Sequence, residues 1–124
     1  MLATWMAAAG LLAVVPAVSA ADAAFAGTWV STDTDGSTQA LAVGRGSRPA
    51  VTYLDFYASS CEGGPTTQFV ATGQGAIEGD SMGVEFRSGG CGRDKIGPFG
   101  LGFAYDAASD SLTDDFGITW YRFP

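Results

Sequence analysis

From residue 25 onward, short runs rich in Val, Thr, Phe and Tyr alternate with clusters of Gly, Asp and Ser. No window after Ala21 carries the 3.6-residue apolar period of a helix. That punctuation restricts the chain to an all-β fold. The runs are Phe25 to Thr32, Thr38 to Val43, Val51 to Ala58, Thr67 to Ile77, Met82 to Ser88, Phe99 to Asp106, Ser111 to Asp115 and Ile118 to Phe123. The connections between them are short, which predicts an eight-stranded antiparallel meander. Pairing the last strand with the first would remove both exposed edges and close the sheet into a barrel. The pleat is clearest at Phe99, Leu101, Phe103 and Tyr105, which alternate with Gly100, Gly102 and Ala104. One bulky face and one nearly bare face suit a tightly curved sheet or a close neighbour.

The chain of 124 residues is enough for one domain. Its first 21 residues carry no ionisable side chain, and all 13 acidic and 6 basic residues follow Ala21. Leu2 to Ala17 is an apolar run, and Val18-Ser19-Ala20 is a small-x-small site. Residues 1–20 therefore read as a secretory signal peptide, leaving 21–124 as a single small β-barrel domain. The localisation that follows is secreted, extracellular or periplasmic, with no membrane contact after cleavage. No Lys or Arg precedes Arg45, so a retained anchor stays open as the alternative.

Export gives meaning to the only two cysteines, Cys61 and Cys91. An oxidising compartment would join them into one disulfide closing a loop of about 30 residues, with a contribution of roughly 3–4 kcal/mol. The chain has no His and no Asn. His-based triads, His-ligated zinc and N-glycosylation are thereby excluded. A net charge of −7 also argues against a nucleic-acid surface.

The two ends carry a paired motif: Gly27-Thr28-Trp29 opens the first strand and Trp120-Tyr121-Arg122 closes the last. This resembles the calycin superfamily, the lipocalins and avidins, in which Gly-x-Trp begins strand one. The resemblance implies that Gly27, Trp29 and Arg122 form a barrel-end motif, with Trp29 plugging the barrel and Arg122 covering it by cation–π contact. Beyond Gly-Thr-Trp the avidin biotin-contacting set has no counterpart, so no biotin residues are carried over. The small calycin-like metalloprotease inhibitors, stapled by one disulfide, are closer in size. Ordinary core aromatics of another small β fold remain the competing interpretation of Trp29 and Trp120.

Other constellations are weak. Asp33-Thr34-Asp35-Gly36-Ser37 resembles the start of a calcium loop but lacks the later ligands, and Asp-Gly also favours a hairpin turn. Asp110, Asp114 and Asp115 read as solvated turn carboxylates, so no metal and no cofactor is expected. Glu85 with Asp55 could in principle form a carboxylate pair for glycosidic chemistry, and nothing in their spacing supports it. The chain is therefore expected not to be an enzyme. Arg45 and Arg48 share one loop and Arg93 and Lys95 another; if the loops met, they would form a small basic rim.

An eight-stranded barrel either holds one small ligand or is filled by its own side chains. The 14 aromatics of the domain favour a largely filled barrel with a shallow mouth pocket. Tyr53, Tyr57 and Trp120 are the candidate contacts there. Gly73, Gly75, Gly100 and Gly102 pull the other way, as possible borders of a cavity. Function then reads as an exported, non-catalytic binding module, monomeric, for a small apolar ligand or an extracellular protein. The alternative is a peptidase inhibitor whose flexible stretch Asp22 to Phe25 enters a protease cleft. The third is a structural envelope or secreted protein.

Overall fold

The fold is seen in a computed structural model that describes residues 20–32, 36, 38–56, 68–91 and 94–124. Helix α1 (Ala20–Phe25) precedes nine strands: β1 (Gly27–Thr32), β2 (Thr38–Val43), β3 (Ala50–Phe56), β4 (Gln68–Glu78), β5 (Ser81–Cys91), β6 (Asp94–Ile96), β7 (Phe99–Asp106), β8 (Ser111–Asp114) and β9 (Thr119–Arg122). All pairings are antiparallel, and β9 pairs back onto β1, which closes the barrel. The strand count exceeds the eight read from sequence because β6 and β7 share one edge of β5, separated by Gly97-Pro98. Together they make one interrupted stave, and the barrel has eight.

Period-two patterning explains the strands. On β5, Met82, Val84 and Phe86 are buried while Gly83, Glu85 and Arg87 are exposed. β4 alternates buried Phe69, Ala71, Gly73 and Gly75 with exposed Val70, Thr72, Gln74 and Ala76. A register shift between Thr72 and Gly73 bends this hairpin, as a bulge does in a closing barrel.

The beginning of the domain departs from its sequence reading. Phe25, assigned to the first strand, instead ends α1 and is fully buried. Six residues are too few for a helix to stand alone, even with four alanines and Asp22 in its first turn. Tertiary contacts hold it. The segment Asp22 to Phe25 is thus docked on the barrel, and a free strand for insertion into a protease cleft is not present there.

The interior is filled. Tyr53 packs against Phe69, Phe86 and Trp120 with ring centroids 5.8–6.0 Å apart. Phe86 stacks on Phe99 at 4.8 Å, and Phe103 meets Trp120 edge-on at 5.9 Å. Gly73 and Gly75 face inward, but against the Glu85–Phe86 backbone and the Met82 side chain, so they border packed atoms. Gly100 and Gly102 point outward, which corrects their assignment to a cavity wall. At Gly102 the reason for the bare face is visible: the Asp115 carboxylate lies over it and accepts its N–H at 2.6 Å.

Candidate functional site

Three places bring together side chains with chemistry: the barrel end at Trp29, a polar ladder inside the opposite end, and the seam between β1 and β9. At the first, Trp29 is fully buried and its ring N–H donates to the Phe25 carbonyl at 2.9 Å. The Arg122 guanidinium lies over the same ring, 4.2 Å from its centroid. Arg122 also donates to the carbonyls of Ala24 at 2.6 Å and Ala26 at 2.8 Å. Carbonyls at a helix C-terminus lack partners within the helix. Here Trp29 and Arg122 supply them, so one motif both plugs the barrel and caps α1.

Gly27 belongs to this arrangement for a steric reason. Its φ is +131°, and a Cβ there would stand 2.8 Å from Arg122 Nη1. The opposite side of the guanidinium is held by Asp110, which accepts from Nε at 2.9 Å and from Nη2 at 3.1 Å. Asp110 sits in the left-handed region at φ 48° and also accepts from the Tyr105 hydroxyl at 2.9 Å. Hydrogen bonds from Arg122 first, and from Tyr105 second, hold its carboxyl below the usual aspartate range. The bond to Asp110, reinforced by burial, raises Tyr105. The sequence reading of Asp110 as a solvated turn carboxylate gives way to this contact with Arg122 and Tyr105, which no local pattern around a turn aspartate distinguishes.

The second place is a ladder across β1, β2 and β3. The Ser31 hydroxyl donates to Gln39 Oε1 at 2.7 Å, and Gln39 Nε2 donates to the Tyr53 hydroxyl at 2.7 Å and to Asp55 Oδ2 at 3.3 Å. Ser31, Gln39 and Asp55 are all buried. Their signal in the sequence was parity alone, since each falls on the inward phase set by Trp29, Leu41 and Tyr53. Asp55 faces inward and Glu85 outward, so the barrel wall separates them and they form no catalytic pair.

Trp120 is fully buried, and its N–H donates to Asp114 Oδ2 at 3.0 Å. It is a core ring and not the wall of a mouth pocket. Tyr53 is half-buried with its ring in the core and its hydroxyl in the ladder. Tyr57 and Cys61 lie outside the described residues, as do Asp33, Thr34, Asp35 and Ser37 of the calcium-loop-like segment. Arg45 and Arg48 are exposed in the loop at the Trp29 end, whereas Lys95 is on β6, which pairs with the far end of β5. The two basic loops therefore do not share a rim. Among the described residues no group of acidic or thiol side chains is arranged to hold a metal.

The third place has no counterpart in the sequence patterning. β9 meets β1 only at Trp29 with Arg122 and Val30 with Tyr121, plus the Phe123 N–H donated to the Thr28 carbonyl at 2.8 Å. In an antiparallel ladder every second pair exchanges hydrogen bonds. After Thr28/Phe123 and Val30/Tyr121 the next such pair is Thr32/Thr119, and the ladder stops before it. The strands part there into a cleft of about 470 Å³, lined by Val30, Ser31, Thr32, Ile118, Thr119 and Tyr121, with Thr38 beside them. Tyr121 is 58% exposed and Phe116, two residues before Ile118, is 79% exposed.

Compared with protein-family models, with curated proteins and with solved structures, the chain matches none.

Proposed function

We propose that this chain is an exported, non-catalytic binding module of calycin type that takes an extended segment of an extracellular protein at its seam cleft. The observation that carries the proposal is the contrast between a barrel interior packed with rings and a seam that opens at Thr32 and Thr119. Backbone groups at the end of an interrupted ladder accept a further strand, while neighbouring side chains select it. Tyr121 and Phe116 offer large amphipathic or apolar contacts beside them. A small apolar ligand within the barrel is less well supported, because its space is occupied. The inhibitor reading loses its N-terminal motive, since α1 is tied down by Arg122.

Export and the Cys61–Cys91 disulfide belong to the same proposal. Cys91 ends β5 half-buried, and among the described residues no cysteine is free. An intact-mass measurement on the exported protein, before and after reduction with alkylation, reads the pairing directly.

The function is tested by amide NMR on the exported protein, titrated separately with β-forming peptides and with long-chain fatty acids. Peptides should shift Thr32, Thr119 and Tyr121. Fatty acids that shift Tyr53, Phe86 and Phe99 while peptides do nothing would return the binding site to the interior.

A further inference from the structure

Parity along the strands assigns the free backbone groups on each side of the seam. The Phe123 N–H donated to the Thr28 carbonyl sets the even positions of β1 and the odd positions of β9 face to face. The Asp114 N–H donated to the Ile118 carbonyl agrees, since it turns the even positions of that stretch towards β8. Beyond the last pair, Val30 with Tyr121, the cleft walls therefore present the N–H and C=O of Thr32 and of Thr119. Among the described residues no strand pairs with either set on that side.

The cleft is blind at its inner end. A strand lying between two others needs them about 9.6 Å apart, twice the ordinary spacing. At Val30 and Tyr121 they are directly paired. That pairing is held shut, because Arg122 beside Tyr121 is fastened to the Ala24 and Ala26 carbonyls and to Asp110. A volume of about 470 Å³ takes one extended chain of a few residues and not both limbs of a turn. A segment that reaches the inner wall therefore ends there. Two donors and two acceptors match either end of a chain by hydrogen bonding, so charge decides between them. The stretches that make the cleft, 27–43 and 111–121, hold four Asp and no Lys or Arg. Asp114 is committed to the N–H groups of Phe116, Ile118 and Trp120, none of which is a cation.

We propose that the seam cleft captures the free N-terminal amine of its partner, an exported protein whose first residues run outward from the inner wall. This rests on the peptide reading of the cleft and names the chemistry of what it takes. The ammonium donates to the Thr32 and Thr119 carbonyls, in an acidic surround that attracts it and repels a C-terminal carboxylate. The chain then leaves in the direction of β1 and antiparallel to β9, so its first carbonyl meets the Thr119 N–H. Exposed Tyr121 stands beside its path. Removal of a signal peptide creates an amine of this kind on an exported chain.

The test is isothermal titration calorimetry with amide NMR on the exported protein, using the peptide amide Ala-Val-Thr-Val-Thr-Ser. It is compared with its N-acetylated form, with a form whose N-terminal amine is replaced by hydrogen, and with the free C-terminal acid. Loss of the amine in either way should weaken binding about tenfold or more, as removal of a charge-assisted hydrogen bond does. The free acid should bind no better than the amide. Added salt should weaken the peptide with the amine and leave the one without it unchanged. Equal affinity with and without the amine, with Thr32 and Thr119 amides shifted by both, overturns the inference and leaves the cleft reading standing. Tighter binding of the free acid than of the amide overturns it as well, in favour of the opposite chain end. If no form shifts Thr32, Thr119 or Tyr121, the cleft reading itself falls and the inference falls with it.

Discussion

Arg122 and Trp29 complete one another's work on the same short helix. The ring N–H of Trp29 takes the Phe25 carbonyl, the guanidinium of Arg122 takes those of Ala24 and Ala26, and the guanidinium itself rests on the indole. Three consecutive carbonyls at the end of α1 are thereby satisfied from two strands adjacent across the closure seam. Barrel closure and helix docking are one event, because neither residue reaches its partners unless β9 lies beside β1.

Replacing Arg122 therefore removes more than a surface charge. Arg122→Ala should destabilise the fold by about 2–3 kcal/mol, from two unpartnered carbonyls and a lost cation–π contact. For a domain of this size that is a fall of about 10–20 °C in Tm. Arg122→Lys keeps the charge but cannot donate in three directions, so it should recover less than half of the loss. Thermal unfolding followed by far-UV circular dichroism checks both variants.

Gly27 is restricted twice, by its φ of +131° and by Arg122 Nη1 at 2.8 Å from the position of a Cβ. Gly27→Ala should cost about 2–3 kcal/mol through backbone strain and displacement of the guanidinium. In the Arg122→Ala background the steric part disappears, so the two losses should sum to more than the double mutant shows. Urea unfolding of the four proteins measures that coupling.

Asp110 gives the fold an acid-sensitive contact. Its carboxyl is held below the ordinary range by Arg122 and Tyr105, so its contribution is present above the ordinary aspartate value of about 4. That contribution is lost as pH falls through the depressed folded value. Tyr105 runs the opposite way: its pKa is raised, so its contribution is present below about 10 and lost as pH rises through the folded value. Asn tolerates the left-handed conformation at this position, so Asp110→Asn isolates the charge. The stability gap between wild type and Asp110→Asn should be level near neutral pH and shrink below pH ~4. Salt should narrow the gap at neutral pH, because the Asp110 side chain is 48% exposed. Urea titrations at stepped pH and ionic strength measure it.

The sequence carried the strands further than it carried the ends. β7 over Phe99 to Asp106 and β2 over Thr38 to Val43 are legible from the sequence, because alternation and flanking turns are local properties. α1 was missed for the converse reason. Nothing within Ala20 to Phe25 suffices to hold a helix of that length, and Arg122, which takes two of its three end carbonyls, is about a hundred residues away in sequence. The Trp29 and Arg122 positions were legible as a motif, but Asp110, which orients the guanidinium, was not. The seam cleft had no sequence signal, since where a ladder stops depends on how the whole barrel closes.

Asp114 is the residue on which the last turn depends. Its Oδ1 accepts from the N–H groups of Phe116 at 2.9 Å and Ile118 at 3.0 Å, while Oδ2 accepts from Trp120. One buried carboxylate thus shapes the turn before β9 and orients the largest ring at the barrel's centre. Asp114→Ala leaves three donors without an acceptor in a region where water does not reach Trp120, a loss of about 3 kcal/mol. Asp114→Asn keeps an acceptor but turns one end of the group into a donor, so it should lose about half as much. Because Ile118 and Thr119 line the seam cleft, the same variant should also alter peptide binding there. Near-UV circular dichroism, which senses the Trp120 environment, should change with Asp114→Ala at temperatures where far-UV signal is intact. An unchanged near-UV spectrum would show that packing alone fixes the ring and that the carboxylate serves only the turn.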